Sequence, residues 1–130
     1  MTWPPPERIL IVAAGGALGT LARYFAALQW GAHWVTTLSV NLSGSFLIGL
    51  LFAVTSDSQP RIRLALATGF LGGYTTFSAW QLEALLEAHK GDVARTIVIL
   101  TISTAAGFIS VTLGALLGSR ILRFVGLLTQ

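Results

Sequence analysis

The sequence predicts an all-α integral membrane protein of four transmembrane helices, with a break in the third. Three observations carry that reading. The chain has 130 residues, of which 54% are hydrophobic and only 10% charged, and its mean hydropathy is +0.76; ordinary soluble domains carry about 25% charged residues. The apolar residues gather into four runs, each about as long as the ~20 residues that cross roughly 30 Å of hydrocarbon. One of these runs contains GFLGGYTTFSAW, in which Gly69, Gly72 and Gly73 stand beside Thr75 and Thr76. A glycine in a helix interior costs about 1 kcal/mol relative to alanine, and lipid satisfies no hydroxyl, so the segment needs something to offset both costs.

The first span runs from about Ile9 to Leu28 and follows MTWPPPE. A secretory signal begins with positive charge and leads straight into an apolar core, so this span is expected to be retained as a helix. The second covers about Thr36 to Thr55, the third about Ile62 to Leu86 and the fourth about Ala94 to Phe124. The connections QWGAHW, SDSQPR and EAHKGD are short. Residues 1–130 therefore read as a single four-helix domain surrounded by membrane lipid, with nothing left over for a soluble catalytic domain. The absence of cysteine excludes disulfides, thiolate metal sites and a cysteine nucleophile.

Eight basic and five acidic residues leave a net charge of +3, scattered near the expected helix ends. That distribution suits a membrane interface and not a nucleic-acid-binding stripe. Four spans put both termini on one side, so Arg8, Arg61, Arg63, Arg120 and Arg123 lie opposite Arg23, Lys90 and Arg95. Five basic residues against three is a weak positive-inside bias and leaves both insertion directions open.

Small residues recur at helical spacing along the spans. Gly15 and Gly19 form GxxxG in the first, Ser45 and Gly49 a small pair in the second, and Ser103, Gly107, Ser110, Gly114 and Gly118 a stripe along the fourth. Close helix packing explains Gly15, Gly19, Gly114 and Gly118. Ser103 and Gly107 can also border a polar path, because a hydroxyl near mid-membrane is costly unless used.

Few residues offer chemistry. His33 and His89 fall in connections, and although Glu87 and Asp92 flank His89, no cysteine or second histidine stands beside either to complete a metal or catalytic set. Glu83 and Glu87 end the third span at i, i+4, a like-charge pair that must be wet; Glu83 lies deeper, at the edge of any vestibule. Arg23 either snorkels to the interface or attracts anions at a pore mouth. Asn41, inside SVNLSGSFLIGLL, is expensive in lipid, and its amide can donate to a neighbouring helix or to an anion. After the glycines, Thr75, Thr76, Phe77, Ser78 and Trp80 supply hydroxyls and aromatic ring edges, the positive rim of the ring quadrupole. A helix broken at mid-membrane is tolerated where protein protects its freed backbone or where its carbonyls hold an ion.

Three ordered motifs, GGALGTLARY, TLSVNLSGSFLIGLL and GFLGGYTTFSAWQLE, fall in the first, second and third spans. In these, and in length and four-span layout, the chain resembles the Fluc (CrcB) fluoride channels. The resemblance implies an antiparallel, dual-topology homodimer in the plasma membrane with two pores that let fluoride leave the cell down its gradient. It implies a structural sodium ion held by backbone carbonyls, by motif position those of Gly72 and Thr75. Asn41 falls on the family's pore asparagine, Phe77 on its first pore phenylalanine, Arg23 on its vestibule arginine, and Ser103 with Gly107 on the positions that border the polar track with Thr76 and Ser78. Two positions depart from the pattern: Trp80 stands for the second phenylalanine, and Ile99 for a pore-facing tyrosine of the fourth helix. A subunit that pairs with an unlike homologue is the alternative these departures raise.

Two rival classes remain to be separated. A small dual-topology multidrug transporter needs a membrane-embedded carboxylate for proton exchange, and the first span holds none. A non-transporting membrane scaffold would explain the packing glycines but not the cost of Asn41 and GGYTTF. The absence of a nucleotide motif or a proton-carrying carboxylate in the spans favours passive conduction by a non-enzyme.

Overall fold

The computed structural model describes residues 3–55 and 59–128, so part of the SDSQPR connection lies outside the described residues. Among them every regular element is helical: α1 (Pro6–Trp30), α2 (Trp34–Val54), the single turn α3 (Pro60–Arg63), a π-helical stretch Leu64–Leu71, the short α4 (Gly72–Tyr74), α5 (Phe77–His89) and α6 (Val93–Leu128). Three of these, α1, α2 and α6, are long and apolar enough to cross a bilayer. The third segment is divided among four shorter pieces.

Local chemistry sets the ends. Pro6 opens α1, where a missing N–H costs nothing, and Glu7 faces the positive end of its dipole. Gly31 closes it at φ 86°, a conformation that glycine adopts without strain. His33 caps α2, its Nδ1 accepting from the Thr36 amide at 3.4 Å. Gly91 turns the chain at φ 83°, and Asp92 then accepts from the Arg95 amide at 2.9 Å to start α6. The helices outrun the expected spans at most ends; α6, at 36 residues, extends about 54 Å, well beyond the hydrocarbon thickness.

The helices form two close pairs: α1 on the π-helical stretch and α4, and α2 on α6, with α5 leaning on α6. Glycine makes both contacts possible. A Cβ on Gly19 would meet the Phe70 carbonyl and one on Gly73 the Gly16 carbonyl, while on the other pair Gly49 faces the Val111 carbonyl and Gly114 the Phe46 carbonyl. Arg63 fastens the third segment to the end of α2, donating from Nε to Thr55 Oγ1 at 2.9 Å and lying 4.8 Å above the Phe52 ring. The core is thin. Val40 and Ile99 are its largest fully buried side chains, whereas Leu10, Phe25, Phe108 and Leu127 all point outward.

Candidate functional site

Between α4 and α5 the backbone of Thr75 (φ −80°, ψ 156°) and Thr76 (φ −146°, ψ 120°) is extended. β-branched residues accept that geometry, but an extended pair between two helices leaves backbone groups that a continuous helix would satisfy. Each has to be accounted for. The Leu71 carbonyl takes both the Thr75 amide, at 3.0 Å, and the Thr75 hydroxyl, at 2.9 Å. The Gly73 carbonyl takes Arg23 Nε at 3.3 Å and the Thr20 hydroxyl at 3.4 Å, both from α1. The Ala79 amide is capped by Thr76 Oγ1 at 3.3 Å. Asn41 of α2 serves the Thr76 backbone twice: its Oδ1 accepts from the Thr76 amide at 2.8 Å and its Nδ2 donates to the Thr76 carbonyl at 2.9 Å.

Among the described residues the Gly72, Tyr74 and Thr75 carbonyls are left over. In a continuous helix the Gly72 carbonyl would meet the Thr76 amide and the Thr75 carbonyl the Ala79 amide, and Asn41 and Thr76 Oγ1 hold those amides instead. Oxygen donors of this kind suit a hard alkali cation such as sodium, so the residues present fit one.

Beside the link lies a cleft of ≈ 450 Å³. α2 lines it with Asn41, Gly44 and Ser45, the third segment with Gly72, Thr75 and Thr76, α5 with Phe77 and Trp80, and α6 with Ser103, Thr104 and Gly107. The Phe77 and Trp80 rings lie 5.0 Å apart and tilted by 54°. The Trp80 indole N–H donates to the Ile99 carbonyl at 3.2 Å, which pins α5 to α6. Ile99 itself is 1% exposed, and its side chain is not among those lining the cleft. A Cβ on Gly44 would strike Thr75, so this glycine lets the link sit against α2.

Eight of the ten residues singled out from sequence therefore converge on one cleft: Asn41, Gly72, Thr75, Thr76, Phe77, Trp80, Ser103 and Gly107. The other two lie outside its lining. Ser78 is exposed, 3.5 Å from the Thr76 hydroxyl, and Arg23 binds the Gly73 carbonyl. Glu83 accepts from the Thr37 hydroxyl at 2.7 Å, and its other oxygen is buried with no hydrogen-bond partner among the described residues. Glu87 pairs instead with Lys90 at 2.9 Å and Arg95 at 3.7 Å.

Sequence reasoning missed Thr20, Gly44 and Thr104. Thr20 and Arg23, three apart, share a face of α1, a usable signal; the contact of Gly44 with Thr75 depends on how α2 crosses the link and leaves no local trace.

Among the described residues no carboxylate lines the cleft, so its hydroxyls, its amide and its ring edges offer positive dipoles without a competing negative charge. Each carboxamide nitrogen has two hydrogens, and Asn41 commits one to Thr76. The other remains for the cleft.

Comparison with known proteins adds an independent finding. Residues 10–115 match the family model described as CrcB-like protein, Camphor Resistance (CrcB). The chain is 40% identical over 122 residues to the fluoride-specific ion channel FluC of Acidobacterium capsulatum, covering 88% of this chain and 98% of that one. It is 40% identical over 116 residues to the FluC of Chlorobium luteolum, with 84% and 90% covered. To that of Gloeobacter violaceus it is 44% identical over 117 residues, with 84% of each covered.

Proposed function

We propose, on the premise that this chain belongs to the CrcB family, that it is a passive fluoride channel of the cell membrane and not an enzyme. The observation that carries the reading is the carboxylate-free cleft in which Asn41, Phe77 and Ser103 meet, in a chain about 40% identical to proteins named fluoride-specific ion channels. Fluoride is small and strongly hydrated, so a selective path has to replace its water by many donors in a narrow space. The free hydrogen of the Asn41 amide, the Ser103 hydroxyl and the ring edges of Phe77 and Trp80 supply such donors in series. None carries a full positive charge, so the ion is not trapped. Arg23, held near the link by the Gly73 carbonyl, adds the positive potential that draws anions toward the entrance.

One copy leaves the cleft open and most large apolar side chains uncovered, so two copies are needed to enclose a path. The weak charge bias and the family resemblance support an antiparallel homodimer that forms two pores, fluoride leaving the cell down its gradient. In that assembly the Gly72 and Thr75 carbonyls would hold a sodium ion, whose charge would fix the two links against each other.

The reading is tested in cells. In a bacterial strain without its own fluoride exporter, expression of this chain is expected to restore growth in millimolar fluoride. Unchanged fluoride sensitivity despite protein in the membrane contradicts it.

A further inference from the structure

The side chain of Asn41 does two things at once, and the second does not belong to an anion site. Its Oδ1 takes the Thr76 amide at 2.8 Å, the group that would otherwise close the next helical turn onto the Gly72 carbonyl. Its Nδ2 takes the Thr76 carbonyl at 2.9 Å, so the amide grips that residue at two points. Gly72 and Gly73 impose no side-chain obstacle to closing the turn. The Gly72 carbonyl stays free because a side chain from another helix has occupied its partner.

We infer that Asn41 is a positioning residue for a cation: it splints the third segment open and so keeps the Gly72 carbonyl available to an alkali metal ion. This couples the anion cleft to the cation through one carboxamide, since the remaining Asn41 hydrogen faces the anion and the same group secures the cation's ligand. The inference rests on the sodium reading above. It adds that the α2 amide creates the site, which the Gly72 and Thr75 backbone alone does not.

The test uses purified full-length protein in lipid nanodiscs, with its melting midpoint followed as sodium chloride replaces N-methyl-D-glucamine chloride at constant ionic strength. Wild type is expected to melt higher in sodium, and Asn41→Leu to lose that sodium-dependent rise or to need at least about tenfold more sodium for half of it. Asn41→Ser, too short to reach Thr76, serves if the leucine variant does not fold and is expected to behave the same way. Ser110→Ala removes a different bond onto α2, from the Ser110 hydroxyl to the Leu42 carbonyl at 2.7 Å. It is expected to lower the midpoint in both salts and to keep the sodium rise. An unaltered sodium response in folded Asn41→Leu or Asn41→Ser overturns the inference. So does a wild type that conducts fluoride yet melts identically in both salts, an outcome that leaves the channel reading intact; a sodium response without fluoride flux overturns the channel reading alone.

Discussion

Phe77 heads α5 and is 66% exposed beside the cleft. If its edge contacts the passing anion, Phe77→Ile keeps the apolar volume and removes the quadrupole. Fluoride flux is expected to fall at least about a hundredfold, about 3 kcal/mol in barrier terms, while the melting midpoint stays within a few degrees. Undiminished flux removes Phe77 from the path. Trp80 differs because its N–H is occupied by the Ile99 carbonyl. Trp80→Phe is expected to cost about 0.5–1.5 kcal/mol of stability, the net value of one hydrogen bond, and to retain most of the flux, because a ring edge remains. Flux lost with stability unchanged would show that the indole N–H serves the anion. The expense of an amide in lipid singles out Asn41 from sequence alone, but whether it served a helix neighbour or an anion depended on where α2 crosses Thr76. The structure gives it the Thr76 backbone and leaves one hydrogen over.

Along the fourth helix one stripe of small residues does two jobs. At Gly114 the Phe46 backbone of α2 fills the space of a side chain, whereas at Gly107 the nearest neighbour of an added Cβ is Ser45 Oγ at 3.9 Å. Gly114→Val is therefore expected to push the α2–α6 pair apart, costing about 1–3 kcal/mol or more and showing as a lower melting midpoint or aggregation on size exclusion. Gly107→Ala is expected to fold like wild type, and equal damage from the two would contradict the packing described. Periodicity made the helices and this stripe legible, because both follow from side chains a turn apart. The π-helical stretch Leu64–Leu71 was not legible: LALATGFL has no local signal for a wider helix. It lies where Gly15 and Gly69 bring α1 and the third segment into contact, a tertiary matter.

For the molecule as a whole, the apolar exterior follows from composition, but partner number and insertion direction do not. The chain contains no cysteine, so a single Ala32→Cys in the exposed α1–α2 connection is a clean reporter. If both orientations are inserted, a membrane-impermeant maleimide applied outside intact cells is expected to label roughly half of the copies, as the weak basic bias allows. Labelling of nearly all or none would assign one orientation and contradict the antiparallel homodimer. The central claim is tested most directly by efflux from liposomes holding only this purified chain, with a potassium gradient, valinomycin and electrodes for fluoride and chloride. Fast fluoride loss with chloride retained is expected. Silence from a well-folded protein, or equal loss of both ions, would contradict it.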